Sequence, residues 1–188
     1  MTMGSGSTAA GLVLLICLTG SALQAQQPLR NENLLVGMPQ GFKVGFSDSR
    51  NGMNMQEWVR AGETVQNWTE MVTIQIFLGR RDLQPTQFLS SMQKRGSDAC
   101  KDRTGTSIAT GKVNGYESSS ILLRCPLLAS TGNPETTMVK AIKGNDSFYV
   151  VQRAVRAAPT SERLETIKEY VERVSVCDSR LPSRPCRM

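Results

Sequence analysis

Histidine is absent from the sequence, and that absence excludes several kinds of active site. Without an imidazole there is no Ser-His-Asp or Cys-His nucleophile system, no histidine general base and no histidine-containing zinc site. The chain also has no series of Asp and Asn residues with calcium-loop spacing and no glycine-rich phosphate loop. We therefore expect no bound metal and no cofactor, and we assign no catalytic residue.

Aromatic residues are also scarce, at 5% of the 188 residues, and they do not interleave with the basic residues. A stacking platform for nucleic-acid bases needs that interleaving, so we expect no nucleic-acid ligand. The chain does have an excess of basic residues, with 22 Lys and Arg against 16 Asp and Glu and a net charge of +6. This excess favours an anionic partner.

The N-terminal segment has the features of a secretory signal peptide. Residues 1–25 contain no charged side chain, and the apolar run over 11–18 closes on the small residues Gly20, Ala22 and Ala25. The run is shorter than the roughly 20 apolar residues that span a bilayer, so we expect cleavage within 22–25 and no membrane span. The remaining residues, 26–188, suit a single exported domain in the periplasm or outside the cell.

The cysteines predict two disulfide bonds. Removal of the signal peptide takes Cys17 away, and an even number of cysteines in an exported domain favours a disulfide framework. Four cysteines allow three pairings, of which we favour Cys100–Cys125 and Cys177–Cys186 because the second pair brackets a short segment with two prolines. Neither pair has the two-residue spacing of a redox or zinc motif, so we expect a structural role.

Hydrophobic periodicity predicts an antiparallel sheet with two helices. The sequence order is three strands, a helix, several short strands and a final helix, which differs from the alternation of a parallel doubly wound sheet. We therefore expect an α+β fold in which an antiparallel β-sheet is packed by one mid-chain and one C-terminal helix. The clearest predicted elements are a hairpin over 41–59, a strand over 72–77, a helix from Pro85, a hairpin over 137–155 and a helix from about Thr160.

The segment 57–71 is the strongest candidate for a ligand site because it holds both tryptophans and three carboxylates. In this interpretation the indoles form the walls of a cleft and the charged side chains supply its polar groups. The alternative is that the indoles are core packing and the charges are solvated, since tryptophan buries a large area with or without a ligand. The predicted ligand-binding residues are Trp58, Arg60, Glu63, Trp68 and Glu70.

Four stretches of the sequence resemble a family of uncharacterised secreted proteobacterial proteins. They lie at 67–73, 114–116, 143–152 and 177–180. That family has no assigned activity, so the resemblance implies export but no site residues. The order of elements is more distantly similar to the PsbP-like fold of photosystem II extrinsic subunits, an antiparallel sheet between helices whose members mostly act as accessory or binding proteins.

Taken together, these features predict an exported, periplasmic or secreted, non-catalytic binding or accessory protein of the cell envelope. Its expected partner is an unknown envelope protein or an anionic envelope ligand. The alternative is a small envelope enzyme or inhibitor that uses the region from Trp58 to Glu70.

Overall fold

The computed structural model describes Met1 and residues 29–95 and 99–186. The predicted signal peptide, apart from Met1, therefore lies outside the described residues. The strands are β1 (Glu32–Leu35), β2 (Phe42–Arg50), β3 (Met53–Arg60), β4 (Glu70–Leu78), β5 (Thr104–Gly105), β6 (Ala109–Val113), β7 (Tyr116–Cys125), β8 (Glu135–Lys143), β9 (Ser147–Val155) and β10 (Ser175–Asp178). The helices are α1 (Pro85–Arg95) and α2 (Ser161–Glu172).

One antiparallel sheet dominates the described part of the chain. It has eight strands in the order β2-β3-β4-β9-β8-β7-β5, with β6 also pairing with β7. The strands β1 and β10 form a separate antiparallel pair. Because β4 pairs with β9 across a long connection, the β2-β3-β4 meander and the β7-β8-β9 meander join at the centre of one sheet.

Local sequence signals account for the turns and helix starts. Asn51 and Gly52 both have positive φ, as a two-residue hairpin turn requires, and they connect β2 to β3. Helix α1 begins at Pro85, where the missing N–H costs no hydrogen bond. The Thr160 side chain accepts a hydrogen bond from the backbone N–H of Arg163 and caps α2. The predicted hairpins and both predicted helix starts are confirmed.

The predicted fold class was wrong: this is not an α+β sandwich whose sheet is packed by two helices. Strands make up 44% of the described residues and helices 15%, and the sheet has eight strands. A helix is about 10 Å wide and strands lie about 4.8 Å apart, so one helix covers about two strands. Helix α1 packs mainly on β7 and β8 and α2 mainly on β8 and β9, which leaves the outer strands β2 and β3 largely without helix cover.

The two faces of the sheet bury different clusters. We call the face on which Val72 and Val151 pack against Ile167 and Val171 the α2 face, and β1 and β10 extend its cover. On the opposite face, Leu89 of α1 packs against strands β7 to β9. A third, smaller cluster lies on that opposite face, separate from the cluster under α1. It contains Val59, Trp68, Met71 and Ala154.

Two disulfide bonds are present, which confirms the expectation of a disulfide-bonded protein. They join Cys100 to Cys125 and Cys177 to Cys186, the pairs that the spacing favoured. The second bond closes the segment after β10. Strand β10 also pairs with β1, which the sequence did not predict as a strand.

Candidate functional site

A buried carboxylate holds three arginines together on the α2 face. Glu70 is the first residue of β4 and is 1% exposed. Its carboxylate pairs with Arg60 at 2.5 Å, with Arg153 at 2.6 Å and with Arg163. The arginines come from β3, β9 and α2, and we call these four residues the Glu70 cluster.

The sheet order brings these residues together. Strand β4 lies between β3 and β9, so Glu70 has an arginine-bearing strand on either side. Side chains on one face of a strand recur every second residue, and Val72, two residues after Glu70, pairs in register with Arg153. Helix α2 starts at Ser161, which places Arg163 in its first turn above the same face.

The Glu70 cluster carries two positive charges in excess, since three guanidinium groups face one carboxylate. The side chain of Arg153 is 7% exposed and stacks 4.7 Å above the ring centre of Tyr170. Glu70 engages the Nε and Nη2 atoms of Arg153. Within the described residues the remaining nitrogen, Nη1, makes no hydrogen bond.

A cavity of about 400 Å³ lies beside this cluster. Such a volume is within the range of about 300–1,000 Å³ that small-molecule sites occupy. Its lining consists of Gly37, Met38, Pro39, Arg153, Tyr170, Arg173 and Val174.

Tyr170 supplies a buried polar group at the cavity. Its hydroxyl has no hydrogen-bond partner among the described residues. Burial raises the pKa of Tyr170 to about 12, although the nearby Arg153 opposes the shift. The phenol is therefore neutral near pH 7 and able to donate a hydrogen bond.

The other cavity residues provide one more charge and an apolar wall. Arg173 is exposed, and its side chain makes no ion pair or hydrogen bond with another described residue. Met38, Pro39 and Val174 contribute apolar surface. The lining thus combines hydrogen-bond donors with apolar atoms, which suits an anionic group attached to a hydrophobic one.

The five predicted ligand-binding residues do not form a single cleft wall. Trp58 and Arg60 lie on the α2 face with Glu70, and Trp58 is half-buried against the core there. Trp68 packs on the opposite face with Val59, and Arg156 stacks 4.1 Å above its ring centre. The two indoles are therefore separated by the sheet.

Glu63 stabilises the loop between β3 and β4. It accepts hydrogen bonds from the backbone N–H and the hydroxyl of Thr69 at 3.1 and 2.5 Å. Partial burial raises the pKa of Glu63, but the Thr69 hydrogen bonds and the charge of Arg60 outweigh it and the net shift is downward. Glu63 therefore holds the loop that leads into Glu70.

The sequence interpretation missed Arg153, Arg163, Tyr170 and Arg173. One signal was available, because Arg153 is a charged residue inside the strongly apolar strand Ser147–Val155. A charge in such a strand needs a buried partner. Arg163 and Arg173 lie on or just after α2, where their spacing resembles that of ordinary surface residues. Tyr170 lies on the buried face of α2 with Ile167 and Val171, where it resembles core packing.

No family model matches the chain, and no curated protein sequence matches it. Solved structures that are similar to this chain include the following three. CyanoP, the cyanobacterial PsbP of Synechocystis, aligns over 82% of this chain and 96% of its own, with 11% identity and a TM-score of 0.50. LpqN of Mycobacterium tuberculosis, involved in cell envelope biogenesis, aligns over 81% and 87%, with 12% identity and a TM-score of 0.47. The Ran-binding protein Mog1p of Saccharomyces cerevisiae aligns over 76% and 85%, with 12% identity and a TM-score of 0.43.

At such identities structural similarity shows the fold alone. The similarity to CyanoP supports a PsbP-like fold, here with an eight-stranded sheet. The resemblance to secreted proteobacterial proteins stays a prediction. In the part of the chain that the structure describes, no helix is long and apolar enough to cross a membrane.

Proposed function

We propose that the chain is an exported, non-catalytic binding or accessory protein of the cell envelope with an anionic ligand or partner. The observation that carries this proposal is the Glu70 cluster, which has two excess positive charges and contributes Arg153 to the lining of a cavity. Glu70 neutralises one guanidinium group and orients all three. The cluster is therefore built to attract and position an anion.

Export is supported by the disulfide bonds and by the features of residues 1–25. Disulfide bonds form and persist in oxidising compartments, and both bonds here join residues within the proposed exported domain, 26–188. The apolar run that precedes this domain has signal-peptide character.

The non-catalytic part of the proposal rests on the chemistry of the cluster. The chain has no histidine, and both oxygens of Glu70 accept hydrogen bonds from guanidinium groups. A carboxylate held in this way orients its partners and is poorly placed to exchange a proton with a substrate. Of the predicted site residues, Arg60 and Glu70 belong to the proposed site, with Trp58 on the same face.

The first experiment tests export. The full chain is expressed in a bacterium, the periplasm is released by osmotic shock, and non-reducing mass spectrometry determines the N-terminus and the cysteine pairing. We expect a chain cleaved within 22–25 with no free thiol. A cytoplasmic, uncleaved chain with reduced cysteines contradicts the proposal.

The second experiment tests binding at the site in intact cells. A photo-crosslinking amino acid replaces Met38, which lines the cavity, and in a matched control it replaces Leu127, which is exposed elsewhere. Intact mass spectrometry of the irradiated protein detects both small and macromolecular adducts. We expect adducts with an anionic envelope component from position 38 alone. Equal adducts from both positions, or none, contradict the proposal.

A further inference from the structure

Three hydrogen-bond donors at the cavity have unused capacity. Nη1 of Arg153 and the hydroxyl of Tyr170 make no hydrogen bond within the described residues, and the Arg173 side chain has no ion-pair partner there. Arg153 and Tyr170 are both more than nine-tenths buried. The Tyr170 hydroxyl is a buried donor without an acceptor, which is unfavourable, and an acceptor that enters the cavity relieves that cost.

Glu70, the carboxylate that binds Arg153, is already used. Its two oxygens are shared among Arg60, Arg153 and Arg163. A ligand can supply a further acceptor, and the excess positive charge favours an anionic one.

The rest of the cavity limits the ligand's size and polarity. Met38, Pro39 and Val174 provide its apolar wall. A water molecule occupies about 30 Å³ in the liquid, so a cavity of about 400 Å³ accommodates about a dozen non-hydrogen atoms. An inorganic ion alone leaves most of this volume and the apolar wall unused.

We propose that this cavity binds a small amphiphilic oxyanion, with a carboxylate or phosphate head at Arg153, Tyr170 and Arg173 and a short apolar tail against Met38, Pro39 and Val174. This inference rests on the proposed function, because it names the chemical class of the anionic ligand. Carboxylates and phosphates share the planar or forked acceptor geometry that guanidinium groups recognise.

Calorimetry with four probes tests the class. The protein, with both disulfide bonds intact, is titrated at constant ionic strength with octanoate, octyl phosphate, octanol and acetate. We expect octanoate, octyl phosphate or both to bind at least about tenfold more tightly than octanol and acetate, since the neutral probe leaves charged donors unpaired and acetate lacks the tail. If octanol binds as tightly as the anionic probes, or if none of them binds, the inference is wrong.

Two substitutions test the location. Arg173→Gln removes an exposed charge with no described partner, and Tyr170→Phe removes only the hydroxyl. We expect each to weaken binding of the tighter anionic probe by about fivefold or more, while the free energy of unfolding is maintained. Arg124→Gln is the matched control, because Arg124 is exposed on β7 and does not line the cavity. Equal affinity in wild type, Arg173→Gln and Tyr170→Phe places the ligand elsewhere and overturns the inference.

The outcomes separate this inference from the proposed function. An exported protein that forms adducts at position 38 but binds neither anionic amphiphile retains the proposed function and refutes the ligand class. A protein that fails both the export and the crosslinking experiments refutes the proposed function even if octanoate binds in vitro.

Discussion

Arg153 donates from Nε to Oε1 of Glu70 at 2.7 Å, and both side chains are buried in the centre of the molecule. This pair joins β4 to β9, the two strands through which the halves of the sheet meet. The same interaction holds the Arg153 guanidinium at the edge of the cavity. The ion pair therefore links the stability of the sheet to the geometry of the proposed ligand site.

Replacement of Glu70 by glutamine should destabilise the fold strongly. The change removes the only carboxylate of the Glu70 cluster and leaves the buried Arg153 charge without its ion-pair partner, which costs about 3 kcal/mol or more. Glu63→Gln is the matched control, because Glu63 is only half-buried and its hydrogen bonds stabilise a surface loop, so we expect less than about 1 kcal/mol. Urea denaturation measures the stability of both variants. Equal denaturation midpoints for the two variants would falsify the structural role of Glu70.

Removal of the hydroxyl group should affect the free energy of unfolding differently at two tyrosines. The Tyr170 hydroxyl is buried without a described partner, so Tyr170→Phe should leave the free energy of unfolding unchanged or raise it by up to about 1 kcal/mol. The Tyr149 hydroxyl donates to Glu32 at 2.9 Å, so Tyr149→Phe should lower the free energy of unfolding by about 1 kcal/mol. Chemical denaturation of both variants checks this, and a larger loss from Tyr170→Phe contradicts it.

Loss of a disulfide bond should destabilise the protein more when the loop that it closes is longer. The sequence separations are 25 residues for Cys100–Cys125 and 9 for Cys177–Cys186. From chain entropy, we expect loss of the first bond to lower the free energy of unfolding by about 3.5 kcal/mol and loss of the second by about 2.6 kcal/mol. Cys-to-Ser double variants of each pair, compared by denaturation, should follow that order. A larger loss for the shorter loop would show that contacts of β10 outweigh chain entropy.

Acid should remove the stabilising contribution of Asp178. Hydrogen bonds from the Arg180 side chain lower the pKa of this carboxyl, and they outweigh the opposing influence of burial. Because the folded pKa lies below the unfolded value of about 3.9, the contribution is present above about pH 4 and is lost as the pH falls through the folded pKa.

We therefore expect Asp178→Asn to be less stable than wild type near neutral pH, with the gap narrowing by about pH 3. Asp48→Asn is the control, since Asp48 pairs with the exposed Arg50 at the surface. Denaturation at both pH values measures the gap. A gap that stays constant with pH contradicts the assignment to the Asp178 carboxylate.

Local chemistry made much of the secondary structure predictable. Asn51-Gly52 specifies a two-residue hairpin turn, Pro85 starts a helix, and Thr160 caps another. Each signal acts within a few residues, so it can be identified without knowledge of the fold. The favoured cysteine pairs also agree with the disulfide bonds of the structure, because each bond closes a loop within a short stretch of chain.

The candidate site could be predicted only in part. Arg60 and Glu70 are ten residues apart and lie on neighbouring strands, so a hairpin interpretation brings them close. Trp68 was placed with Trp58, but the chain between them turns and the two indoles pack on opposite faces of the sheet. Composition and proximity in sequence do not determine the face on which a side chain lies.

Length, charge, the missing histidine, the cysteine spacing and the turn residues are properties of the sequence itself. They predicted an antiparallel sheet with two disulfide bonds, together with an anionic partner that stays a prediction. Three features depend on the folded structure. They are the position of β4 between β3 and β9, the partial cover of the sheet by helices, and the cavity. Glu70 meets Arg153 and Arg163 across 83 and 93 residues of chain. Such pairs form because the order of the strands is selected by burial of a common apolar face. Hydrophobic burial depends on position in space and not on separation along the chain.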